Sequence, residues 1–254
     1  MKIIRFFFQL AFAIALVFIS VWFYPTTVLP QTIVVSQAPG KVPRTPPPPK
    51  REPLGGLDPN SSCSKQTKSR LTALIPLNPN PALTTSAYPT FLFYVPYESN
   101  NIRIGKFSVL DWPGEETQRY ETSFTLPRTP GIVSISIPSS LQYDFKINQI
   151  YHWYFQLYCN ESTRSENVNG FNESTRSEDV NGFVKRVTLT SDIERQISTS
   201  TSGIWYDDLA KLAERLRVSP QDPTLRNRWT QLLNSINSKH LAEEKLVGPV
   251  LIKD

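Results

Sequence analysis

Two cysteines, two histidines and a single methionine are all the sulfur and imidazole that 254 residues contain. A structural zinc site with four Cys/His ligands would need every cysteine and histidine, and their spacing does not suit one. The sequence also lacks a Gly-x-Ser-x-Gly elbow, a phosphate loop and a dinucleotide fingerprint, which removes the commonest legible routes to catalysis. Adjacent acids such as Asp207-Asp208 and Glu115-Glu116 point different ways on a helix or strand, so neither makes a poised acid/base pair. His152 lies within an aromatic strand and reads as a satisfied strand histidine, while His240 sits at a helix end and reads as solvated. No catalytic, metal or cofactor-binding residue is assigned.

A concentrated basic surface is missing too. The net charge is +5, but residues 1–60 hold six bases against two acids, residues 61–190 twelve against eleven, and residues 191–254 nine against nine. The excess sits near the N-terminus, and without clustered Lys/Arg to displace counterions no nucleic-acid partner is expected.

What is there begins with an apolar run from Phe6 to Tyr24, preceded by Lys2 and Arg5. As a helix this run would cover roughly 28 Å, close to the thickness of a hydrocarbon core. The two cations would hold the short N-terminus in the cytoplasm. Residues 1–38 therefore read as a signal peptide or a single transmembrane anchor, and the rest of the chain as exported to the periplasm or cell envelope. If uncleaved, the run makes the membrane a partner. Residues 39–60 are crowded with prolines, including Pro46–Pro49, and read as a semi-rigid polyproline II linker.

From 61 to 190 the pattern becomes short strands, expected at Leu71–Leu77, Phe91–Tyr97, Lys106–Leu110, Tyr120–Leu126, Gly131–Ile137, Ile150–Cys159 and Phe183–Leu189. In Ile132–Ile137 the serines 134 and 136 face one side and Val133, Ile135 and Ile137 the other. Seven such strands argue for an immunoglobulin-like antiparallel β-sandwich. Cys63 precedes the first strand and Cys159 closes the sixth. In an exported chain the pair defaults to a disulfide, with two unpaired thiols as the alternative. A bridge would close a loop of about 96 residues and contribute at most about 4–5 kcal/mol in the loop-entropy account.

Residues 160–171 are repeated at once as 172–183, with Asn167 replaced by Asp179. Twelve residues in two copies are too few for a solenoid and read as a duplicated surface loop at 160–183. Its acids, Glu161, Glu166, Glu173, Glu178 and Asp179, lack the order of a known calcium loop. Asn60, Asn160 and Asn172 match a short glycosylation pattern.

After 190 the period lengthens to that of a helix. Trp205, Leu209, Leu212, Ala213 and Leu216 share one face, and Ser219-Pro220 ends it. Asp222-Pro223 caps a second helix with the stripe Leu225, Trp229, Leu232, Leu233 and Ile236. Residues 191–254 read as a helical hairpin, packed on the sandwich or offering a groove to a partner.

Taken together, Leu71–Pro76, Tyr88–Tyr97, Thr129–Ile135, Tyr151–Phe155 with Cys159, and Gly203–Asp207 resemble a cyanobacterial exported family of unknown function, the DUF928-like proteins. The chain departs from that pattern in its duplicated loop and in a short stretch at Glu194–Ser202. The resemblance implies export and carries no activity to transfer. The reading is an envelope module that binds protein or glycan without catalysis. Its sandwich would present loops and aromatics such as Tyr88, Tyr94 and Tyr97, but strand aromatics are more often core, so no residue is assigned a contact. The alternative is a hydrolase or transferase of cell-wall polymers, which folding would have to supply with a carboxylate pair.

Overall fold

Alternation of large apolar and polar side chains dictates two packed sheets, and a computed structural model of the chain contains them. It describes residues 45–53, 69–115, 117–159, 176–192, 194–195 and 204–253, all within one compact unit, Arg44–Asp254. The leader expected at 1–38, Cys63, the first repeat copy and the three glycosylation-type asparagines lie outside the described residues. Among those residues no helix is long and apolar enough to cross a membrane.

The strands are β1 (Thr72–Ala73), β2 (Ala82–Thr84), β3 (Thr90–Val95), β4 (Ile102–Trp112), β5 (Gln118–Thr125), β6 (Gly131–Ser136), β7 (Ile150–Cys159), β8 (Arg176–Arg186), β9 (Leu246–Pro249) and β10 (Leu251–Ile252). They form a four-stranded sheet in the order β1-β3-β6-β9 and a six-stranded sheet in the order β10-β5-β4-β7-β8-β2. Five of the expected strands are found as β3 to β7; Leu71–Leu77 shrinks to the two residues of β1, and Phe183–Leu189 overlaps only the end of β8. The molecule is a mainly β sandwich with two helices after it, as expected. It is not wholly antiparallel, because β2 runs parallel to β8 and β9 parallel to β6.

The core between the sheets is aromatic. Phe91, Phe93, Phe107, Trp153 and Phe155 come from the inward positions of β3, β4 and β7 and are all buried. Phe93 stacks on Phe155 at 4.0 Å, and Phe91 meets Phe107 at 5.1 Å. Full burial of such rings contributes roughly 1.5–3 kcal/mol each, so this layer dominates the stability of the unit. Val133, Ile135 and Ile137 are buried while Ser134 is half-buried and Ser136 exposed, as the alternation requires.

Helix α1 (Trp205–Val218) and helix α2 (Pro223–Ser235) form the expected hairpin. The Asp222 carboxylate accepts from the backbone of Thr224 and Leu225, a side-chain N-cap worth about 1 kcal/mol. Their apolar stripes are buried apart from the half-buried Ala213 and Leu232, so most of both faces is spent in packing. Within 191–254 there is one correction. Residues 246–252 are not part of the hairpin but return to the sheets as edge strands β9 and β10, because Val247, Val250, Leu251 and Ile252 suit a pleated surface better than a helix.

Two further expectations are corrected. The repeat is not all loop: residues 176–183 of its second copy form most of β8. In the pattern Glu-Asp-Val-Asn-Gly-Phe, Glu178 and Val180 turn inward and are buried, while Asp179 and Asn181 take the other face. Nor is the Pro-rich segment a free spacer along its whole length. Pro46 and Pro49 are buried, and Lys50 pairs with Asn181 of β8.

Candidate functional site

The outward positions of three adjacent strands build the chemically richest surface. Register places Leu110, His152 and Phe183 in one row, and Ser108, Tyr154 and Asn181 in the next. The imidazole of His152 stacks on Phe183 at 4.1 Å, and Trp112 meets both rings edge-on, at 6.0 and 5.1 Å. Glu115 reaches this cluster from the turn after β4. It holds a φ of 56°, a left-handed conformation costing a non-glycine residue roughly 1–2 kcal/mol.

That turn brings the Glu115 carboxylate onto His152 Nδ1. The Tyr154 hydroxyl donates to Glu115 Oε2 at 3.2 Å and lies 3.0 Å from the same ring nitrogen. His152 Nε2 is 3.1 Å from Asn181 Oδ1. Burial, reinforced by the Glu115 charge, pushes the Tyr154 phenol well above its ordinary range. With both ring nitrogens engaged and 7% of its surface exposed, His152 is the satisfied strand histidine that its sequence context suggested. It has no free nitrogen to offer a substrate.

The carboxylates around it are likewise committed. Asp111 takes two bonds from Arg119 Nη2, at 3.0 and 3.2 Å. Asp179 pairs with Lys50 at 2.8 Å and Glu121 with Lys106 at 2.9 Å. What this face presents is half-exposed aromatic and amide surface, from Trp112, Tyr154 and Gln156, between fixed ion pairs. A separate cleft of about 310 Å³ lies between α1 and the outer face of the four-stranded sheet, where Thr90, Ser134 and Ser136 contribute hydroxyls.

Other residues singled out in the sequence have separate places. The Cys63–Cys159 pairing falls on Cys63, outside the described residues; Cys159 ends β7 with 7% exposure, and no described cysteine is free. His240 is exposed in a short 3-10 turn. Tyr94 and Tyr97 are not on display but buried, and Tyr88 is half-buried against the core. Glu178 and Asp179 face opposite ways, one donated to by the Tyr97 hydroxyl and the other paired with Lys50, so they form no shared cation site. Sequence reasoning missed the roles of Glu115, Trp112 and Asn181 in one cluster. The available signal was two-residue alternation continuing through the repeat, which a loop reading hides.

Three of the stretches that carried the resemblance, Leu71–Pro76, Tyr151–Phe155 and the helix start at Trp205–Asp207, meet at one place. Trp205 Nε1 donates to the Leu74 carbonyl at 2.8 Å. Trp153 Nε1 donates to the Tyr206 hydroxyl at 2.9 Å, and that hydroxyl donates to the Phe183 carbonyl at 3.2 Å. Asp207 accepts from the hydroxyls of Thr84 and Thr85 and from the Thr85 amide. Trp205–Asp207 is thus a lock between helix and sandwich, each buried polar atom answered by another. The family described as Domain of Unknown Function (DUF928) matches residues 50–246. The chain belongs to the DUF928 family. Its DUF928 region runs from Lys50 to β9, including both helices and the lock. No curated protein and no solved structure matches the chain.

Proposed function

We propose that this DUF928 protein is an exported cell-envelope module that binds a glycan or protein without catalysis. The observation that carries the reading is the outer face of the six-stranded sheet. There Trp112 and Tyr154 offer ring surface beside the amides of Gln156 and Asn181, and the neighbouring acids and His152 are held by internal partners. Aromatic planes beside fixed hydrogen-bonding groups suit sugar rings or an amphipathic protein surface.

Export is supported by the apolar run at 6–24 behind Lys2 and Arg5. A Cys63–Cys159 bridge fits the same compartment. Mass spectrometry of the mature N-terminus distinguishes a retained anchor from a cleaved signal.

The binding test uses the full-length chain on purified cell-envelope polysaccharide and, in parallel, crosslinking in intact cells. Trp112→Ala is expected to reduce retention or crosslinking several-fold when assayed well below its own melting temperature, which the loss of its ring contacts with His152 and Phe183 should lower by a few degrees. Release of soluble oligosaccharide by the wild-type chain would instead establish the hydrolase reading. Unchanged retention by Trp112→Ala would remove this face as the binding surface.

A further inference from the structure

The helical hairpin carries four arginines, and they fall into two classes. Arg217 is paired with Glu214 and Arg226 with Glu243, both pairs on exposed surface. Arg215 and Arg228 have no such carboxylate partner among the described residues. They line a small cavity of about 110 Å³ between α1 and α2 together with Asp208, Lys211 and Leu212. Asp208, Lys211, Leu212 and Arg215 are spaced to lie along one helix face, and Arg228 approaches from the facing helix.

Three cations therefore surround one carboxylate, leaving two positive charges uncompensated. Lys211 and Arg215, four residues apart, repel one another along the helix. Leu212, which is buried, gives the cavity an apolar wall, and the side chains of Lys211, Arg215 and Arg228 are exposed at its rim. Asp208 feels Arg228 and Lys211, yet burial outweighs them and holds its carboxyl above the ordinary range. The cavity suits one small tetrahedral oxyanion and is too small for a sugar or a nucleotide.

We propose that this inter-helix cavity binds a phosphate group, with the Arg215 and Arg228 guanidinium groups and the Lys211 ammonium as its donors. Guanidinium groups match phosphate oxygens geometrically, and the charge on each hydrogen bond strengthens it. Phosphate would supply the counter-charge that the sequence withholds from these arginines while granting it to their neighbours. Free inorganic phosphate and the headgroup of a phospholipid share this chemistry. The site is independent of the sheet face proposed for glycan or protein.

The test titrates inorganic phosphate into the full-length chain at low ionic strength, followed by phosphorus NMR line width. Saturable one-to-one binding is expected. The double variant Arg215→Ala/Arg228→Ala should weaken it about tenfold or more, and Arg226→Ala should leave it unchanged. Asp208→Asn removes the opposing charge and should tighten binding by about threefold or more. Absence of saturation, equal loss in Arg226→Ala and the double variant, or no tightening in Asp208→Asn would each overturn the site. A monomeric short-chain phosphatidate, titrated in the same way, identifies the source. Binding at least tenfold tighter than phosphate assigns a lipid headgroup, and equal or weaker binding assigns the free ion.

Discussion

Among the described residues Glu178 is the one buried acid, 3% exposed, on the inward side of β8 opposite Leu157. The Tyr97 hydroxyl donates to its Oε2, while Oε1 is buried with no hydrogen-bond partner. Leaving a buried carboxylate oxygen unanswered costs on the order of 1–3 kcal/mol, more if it is charged. Burial accordingly pushes the Glu178 carboxyl above its ordinary value of 4.5, against the smaller opposing effect of the Tyr97 hydrogen bond. Burial and then the Glu178 charge push the Tyr97 phenol up as well. A carboxyl with a raised folded pKa binds its proton more tightly in the native state. Its contribution to stability is complete below the unfolded value and is lost as pH rises through the folded one. Glu178→Gln should therefore match the wild type near pH 4 and become progressively more stable than it toward pH 7. Melting curves of the two chains across that range check this, and a gap that narrows with rising pH would contradict it.

At the scale of the element, β8 explains the repeat. Its inward glycine is not there for turn chemistry: a Cβ at Gly182 would lie 2.6 Å from both the Trp153 ring and Ile75 Cδ1. Only a residue without a side chain lets this strand pass the core tryptophan. Beyond the repeat, Val184, Lys185 and Arg186 pair in parallel with β2, and the first copy is followed by Asn172, Glu173 and Ser174 instead. The ladder thus needs one copy joined to 184–186. Deleting residues 160–171 should leave the melting temperature within about 2 °C of the wild type, since loop length enters stability only logarithmically. Deleting 172–183 yields the same chain except for asparagine in place of Asp179. The difference between the two deletions reads the Lys50–Asp179 pair, expected at about 1 kcal/mol or less. A loss of many degrees in either would mean that both copies are built into the fold.

The same strand marks where sequence reading ends. Strands β3 to β7, both helices, the Asp222 cap and the satisfied state of His152 were legible, because alternation and helical spacing report which side of an element is buried. The outer-face cluster was not, since Glu115 reaches His152 through one left-handed turn residue and Asn181 through strand register. The edge strands β2, β9 and β10 are two to four residues long, too short to show a period. The burial of Tyr94 and Tyr97 depends on how helices and strands cover the four-stranded sheet, which composition does not encode.

For the whole molecule, the short segment 45–53 matters most. The Arg51 carbonyl accepts from the Ala73 amide at 2.8 Å and the Lys50 carbonyl from Asn181 at 3.0 Å, so the segment touches both sheets. Arg51 also donates to the Ile236 carbonyl at 2.8 Å and to Ser238 Oγ at 2.7 Å, at the end of α2. One side chain therefore joins the hairpin to the sandwich. Arg51→Ala should cost about 1.5–3 kcal/mol through those charge-assisted bonds, or roughly 3–10 °C of melting temperature. An unchanged melting curve would show the hairpin to be held by its apolar faces and the Trp205–Asp207 lock alone.

Extended proline-rich segments have a solvated backbone and are ordinarily open to proteases. Here Lys50 and Arg51, the residues that a trypsin-like enzyme would cut after, are threaded through the fold. Cleavage after Arg51 would remove the clasp from the chain that follows, and that fragment would leave the cut already loosened.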